Sequence, residues 1–80
     1  MEYIATFYSH FGAIQYRRAC EKAGFPAKIM PVPRNLSSSC GTCVSFVSPD
    51  GTYPPVNEEL EQIVSVEKAG FGQVYMAEEN

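Results

Sequence analysis

The chain has 80 residues, 45% hydrophobic and 19% charged, with a formal net charge of −3, enough for one small core and too little for two. Its six Lys and Arg are scattered and form no basic stripe to neutralise a phosphate backbone, which argues against nucleic acid as a partner. No apolar run approaches the ~18 residues of a membrane-spanning helix, and no basic segment leads into an apolar core at the N-terminus, so we expect no membrane partner, a cytoplasmic location and a single domain over residues 1–80.

Taken in order, "EYIATFY" at residues 2–8 mixes β-branched and aromatic side chains and reads as a strand, with Ser9 following as a helix cap. From Ser9, "SHFGAIQYRRACEKAG" spaces Ala13, Tyr16, Cys20 and Ala23 by three and four, one buried stripe of a helix. Gly24 is its left-handed end and Lys22 a favourable charge in its last turn. "PAKIMPV" reads as a short strand bounded by Pro31 and Pro33, which lack the N–H a ladder needs. "CVSFV" at residues 43–47 is a further strand, closed by the turn "SPDG".

Beyond it, "VNEELEQIVSVEKAG" puts Leu60, Ile63, Val64 and Glu67 on one helical face, with Glu58 and Glu59 suited to a helix N-terminus, and "QVYMA" is a last strand before the acidic tail "EEN". The order predicts an α+β fold of ferredoxin-like βαββαβ type, a four-stranded antiparallel sheet with two helices on one face. The pentapeptide "EKAGF" occurs at residues 21–25 and 67–71, and Met30 and Met76 repeat its offset, an echo suggesting two equivalent halves. Tyr53 and Tyr75 read as packing residues.

Chemistry concentrates in "PRNLSSSCGTC", residues 33–43. In a reducing compartment a C-x-x-C pair points to redox, sulfur-carrying or metal chemistry more than to a staple, and three cysteines cannot all pair within one chain. In the expected topology the first two strands run the same way. The end of strand one, the helix start "SHFG" and the loop with Cys40 and Cys43 then share one sheet edge, together with "GFG" at residues 70–72. A thiolate there could draw on the helix N-terminus and on His10 or Arg34 as cations. Ser37, Ser38 and Ser39 offer donors to an anionic sulfur, Gly41 lets the backbone turn between the cysteines, and Thr42 completes the loop. Read blandly, His10 is an exposed helix-start residue, Arg34 a solvated loop charge, Arg17 and Arg18 the wet helix face, and Cys20 a core thiol.

A closed metal site wants four ligands, which one C-x-x-C and one His cannot supply. Metal ligands within one chain are therefore not expected, while Cys40 and Cys43 of two subunits could bridge zinc or an iron–sulfur cluster across a homodimer. No Gly-rich phosphate motif or nucleophilic-Ser constellation is present, and we expect no cofactor. A thioredoxin-like reductase is disfavoured because its C-x-x-C opens a helix, whereas this one runs into a strand.

The run of residues 3–46, carrying "FYSHFGAI", "MPVPR" and "LSSSCGTC", resembles a family of small bacterial proteins described as selenium/sulfur carrier-like. The resemblance implies a carrier or accessory domain, found also as an extension of TusA-like sulfurtransferases. It carries the family's signature cysteines over to Cys40 and Cys43, flanked by Ser37, Ser38, Ser39, Gly41 and Thr42; the match is weaker after residue 47.

Together these point to a sulfur or selenium carrier more than a stand-alone enzyme, with Cys40 accepting sulfur as a persulfide and Cys43 resolving it. The implied partners are a donor such as a cysteine desulfurase and a downstream acceptor such as a TusA-like sulfurtransferase. A metal-bridged homodimer or a non-catalytic interaction module is the alternative.

Overall fold

The computed structural model describes residues 1–78, so Glu79 and Asn80 of the expected acidic tail lie outside the described residues. Strand β1 (Glu2–Phe7) leads into helix α1 (His10–Lys22), followed by β2 (Ala27–Pro31), β3 (Thr42–Val47), β4 (Leu60–Glu67) and β5 (Gly70–Met76). The strands form one antiparallel sheet in the order β2-β3-β1-β4-β5. The α+β class holds, but the sheet has five strands rather than four and the described residues contain one helix rather than two.

The difference lies in residues 60–67, where the expected second helix is strand β4. Spacing of Leu60, Ile63 and Val64 by three and four fits a helical stripe, yet the segment Ile63-Val64-Ser65-Val66, β-branched at three of its four positions, fits a strand buried on both faces equally well. Between β1 and β5 the strand interpretation satisfies both backbone edges. Glu58 and Glu59 accordingly cap no helix of their own. The β4–β5 hairpin pairs Glu67 with Gly70, where φ is +139°, a conformation open to glycine. The ferredoxin-like pattern of two equivalent halves is thereby corrected: "EKAGF" ends α1 at its first occurrence and turns a hairpin at its second.

Helix α1 forms where expected. The Ser9 hydroxyl caps it by accepting the Gly12 N–H at 3.2 Å, and Gly24 follows at φ +88°. Its buried stripe of Gly12, Ala13, Tyr16 and Cys20 packs on the sheet face carrying Tyr3, Ala5, Phe7, Val44, Phe46, Leu60 and Ile63. Ala23, expected on that stripe, is exposed. Tyr16 lies 5.4 Å from Phe7 and 6.2 Å from Phe46 between ring centroids, and its hydroxyl donates to the Pro54 carbonyl at 2.8 Å. Tyr53 and Tyr75 pack at the border of this core, as expected of them.

Among the described residues no helix covers the opposite sheet face. There Ile4, Cys43 and Val64 form a second, smaller cluster with Met30, Val32, Leu36, Val66 and Phe71, and it is the loop after β2 that supplies Val32 and Leu36. Among the described residues no helix is long and apolar enough to cross a membrane.

Candidate functional site

Strands β1 and β2 both pair antiparallel with β3 and so run the same way. The C-terminal ends of both strands, the start of α1 and the loop at residues 32–41 therefore meet at one sheet edge, as the topology argument requires. The "GFG" segment does not belong there: antiparallel pairing of β4 and β5 sends Gly70 and Gly72 to the far edge and brings Glu59, Glu61, Gln62 and Met76 to this one.

Alternation along β3 sends its neighbouring side chains to opposite faces. Cys43, in register with Thr6 and Met30, faces the second cluster and is fully buried, its Sγ 3.7 Å from the Pro31 carbonyl. Burial, and secondarily the Cys40 sulfur, pushes the Cys43 thiol up to about 11. Thr42 lies on the helix side, where its hydroxyl and His10 Nδ1 are 2.6 Å apart.

Cys40 stands just before Thr42, partly exposed. Its Sγ accepts the Thr42 backbone N–H at 3.4 Å, lies 3.6 Å from the Thr42 carbonyl and sits 3.9 Å from His10 Nδ1. The sulfur thus sits beside the first residue of α1, within reach of solvent, with a peptide N–H and an imidazole nitrogen directed at it. Cys20 is fully buried, and its thiol is pushed up to about 11 by burial and then by the Glu21 carboxylate. All three cysteines are free.

The remaining expected site residues separate into two groups. His10 and Thr42 join Cys40. Arg34 does not: it is exposed and makes no hydrogen bond or ion pair among the described residues. The serines hold the loop and not the sulfur. Ser38 Oγ donates to the Cys40 carbonyl at 2.7 Å and accepts the Cys40 N–H at 3.3 Å, Ser39 binds Glu61, and the Ser37 carbonyl accepts from Gln62 Nε2 at 2.8 Å. Gly41 has an ordinary backbone and open space where a Cβ would stand, so the turn does not require glycine there. Its carbonyl accepts the Val32 N–H at 3.1 Å.

Sequence reasoning missed Glu59, Glu61 and Gln62, because it placed them on a helix. Glu59 accepts from the Ser9 hydroxyl, bringing a carboxylate to the N-terminus of α1, whose first turn carries no acidic residue of its own. Glu61 accepts the Ser39 hydroxyl at 2.6 Å, the Ser39 N–H at 3.2 Å and the buried Thr6 hydroxyl at 3.0 Å. Burial alone would raise its pKa; the hydrogen bonds from Ser39, Thr6 and Ser38 outweigh burial and hold it below the usual value. The β-branched Ile63, Val64 and Val66 were the one signal that could have put these residues on a strand.

Among the described residues no group of three or more His, Cys, Asp and Glu gathers as a metal shell. A four-thiolate bridge between two subunits would have to draw Cys43 out from under the loop. What the site offers instead is one accessible thiol that accepts a peptide N–H and has an imidazole nitrogen nearby, and two shielded ones.

The model of the family described as "Putative Se/S carrier protein-like" matches residues 2–75. The chain belongs to that family. It is similar to the "Uncharacterized protein YtiA" of Escherichia coli (strain K12), with 32% identity over 63 residues, which cover 79% of this chain and 67% of that protein. No solved structure matches.

Proposed function

We propose that the protein carries sulfur or selenium on Cys40, acting as a relay rather than as a stand-alone enzyme in a reducing, cytoplasmic setting. In the loading step the Cys40 thiolate attacks the outer sulfur of a donor's persulfide. A new S–S bond forms on Cys40 as the donor's S–S bond breaks, the donor leaves as a thiolate, and the proton stays with the transferred sulfur, so there is no net oxidation. An acceptor thiolate then repeats the exchange on the Cys40 persulfide. A cysteine desulfurase fits the donor role and a TusA-like sulfurtransferase the acceptor role; selenium in place of the transferred sulfur follows the same exchange.

The observation that supports this reading is the difference between the thiols. Cys40 alone is partly exposed, beside the start of α1, with the Thr42 N–H and His10 Nδ1 near its sulfur, while Cys20 and Cys43 are buried. Cys43 is the candidate resolving thiol, on a route that waits for the loop above it to move.

The test is intact mass after incubation with a cysteine desulfurase and cysteine. Wild type should gain one sulfur and Cys40→Ser none; no adduct on wild type, or an undiminished one on Cys40→Ser, overturns the reading.

A further inference from the structure

We propose that Glu61 is a positioning residue that pins the cysteine loop over Cys43, and that this closure keeps a sulfur carried on Cys40 from being discharged within the same chain. The retention of sulfur rests on the carrier reading; the shielding of Cys43 does not.

The pairing of β1 with β4 runs Thr6 to Gln62 and then Phe7 to Leu60, so Glu61 is the extra residue of a β-bulge. In a regular strand consecutive side chains leave on opposite faces, and a bulge breaks that rule locally and re-aims a side chain. Here the consequence is that two successive residues reach one loop. Glu61 takes the Ser39 hydroxyl and N–H, and Gln62 Nε2 donates to the Ser37 carbonyl. Thr6, fully buried in β1, donates to the same Glu61 oxygen as the Ser39 N–H, fixing the carboxylate from beneath. The segment held in this way carries Leu36, which packs on the Ile4, Cys43 and Val64 cluster. Ser38 then passes the constraint to the Cys40 backbone through both its N–H and its carbonyl.

The chemistry that closure blocks is specific. A Cys43 thiolate attacking the Cys40 sulfur of a loaded chain would form a Cys40–Cys43 disulfide, break the bond to the outer sulfur and expel it as hydrosulfide, with the proton lost by Cys43 completing hydrogen sulfide. The bound sulfur is itself the oxidant, reduced to sulfide as the two cysteines are oxidised, so no further reagent is needed. With the loop pinned, Cys43 is buried and protonated, and the sulfur remains available to an outside acceptor.

Two readouts on the same variants test this. The first is the rate of iodoacetamide labelling at each cysteine in the unloaded chain, with Cys20 in the main core as an internal reporter of global opening. In Glu61→Ala, and more mildly in Ser39→Ala, labelling of Cys43 should rise on the order of tenfold while Cys20 is unchanged, the pattern of a local opening. Unchanged Cys43, or Cys43 and Cys20 rising together in both variants, overturns the proposal. The second readout loads the chains with inorganic polysulfide. Wild type should keep its added sulfur, whereas Glu61→Ala should release sulfide and gain the disulfide; equal retention overturns the chemical consequence. Failure of wild type to load at all counts against the carrier reading and leaves the labelling result to decide the role of Glu61.

Discussion

The Thr42 hydroxyl and His10 Nδ1 lie 2.6 Å apart, tying the start of β3 to the first residue of α1 across 32 positions of sequence. The same imidazole nitrogen is 3.9 Å from the Cys40 sulfur. Thr42 therefore sets where the ring stands relative to the thiol. His10→Ala and Thr42→Val should each slow the reaction of Cys40 with iodoacetamide at neutral pH, by about tenfold or ~1.4 kcal/mol in the barrier for His10→Ala. Thr42→Ser, which keeps the hydroxyl, should restore most of the rate.

Gly12 is required by its neighbour. A Cβ there would run into the Glu59 Cβ, and below it stands Phe7, 3.4 Å away. Gly12→Ala should destabilise the fold by roughly 1–3 kcal/mol through this overpacking, against the usual benefit of alanine in a helix. Gly41→Ala, by contrast, meets open space and should change stability little. Urea denaturation of the two variants checks the contrast.

Tyr16→Phe removes the buried hydrogen bond to the Pro54 carbonyl while keeping the ring in place. Loss of the bond and the unpaired carbonyl left behind should cost about 1–3 kcal/mol. Thermal unfolding of the variant measures this, and the chain around Tyr53 should become more open to protease.

Three buried groups make the fold sensitive to alkali. Burial raises Cys43 and Cys20 from their ordinary 9.0 to about 11 and raises Tyr16 above its ordinary 10.0. The unfolded chain therefore loses these protons first as pH rises, so stability that is complete below about pH 9 should fall between pH 9 and 11 and beyond. Replacing Cys43 by Val should flatten part of that decline in a stability–pH curve. At the acid side Glu61 has the opposite sign: its pKa lies below its ordinary 4.5, so it stabilises above that value and the contribution is lost as pH falls through its folded pKa. The hydrogen-exchange protection of the Ser39 N–H should disappear over that acid range.

Most of the site's framework was legible in the chain. "SHFGAIQYRRACEKAG" carries its own cap, stripe and end signals, and the parallel direction expected of the first two strands put Ser9, His10 and Cys40 at one edge. Residues 60–67 were not legible, because a central strand apolar on both faces shares the spacing of an amphipathic helix, and only the neighbouring strands decide between them. "EKAGF" shows the same dependence: identical residues finish a helix at Gly24 and turn a hairpin at Gly70. Glu61 was hidden for a related reason, since its reach to Ser39 depends on a bulge that no local pattern announces. The sequence put Cys40 and Cys43 together in one loop, whereas only Cys40 stands in it and Cys43 belongs to β3, where strand alternation turns it inward to the second cluster.

The central claim is that Cys40 is the sulfur-bearing thiol. Its most direct test is peptide-level mass spectrometry of the native chain after desulfurase-driven loading, with free thiols blocked before digestion. The added sulfur should map to Cys40, with Cys43 and Cys20 unmodified; a sulfur found on Cys43 or Cys20 with Cys40 unmodified, or found on none of the three, contradicts it.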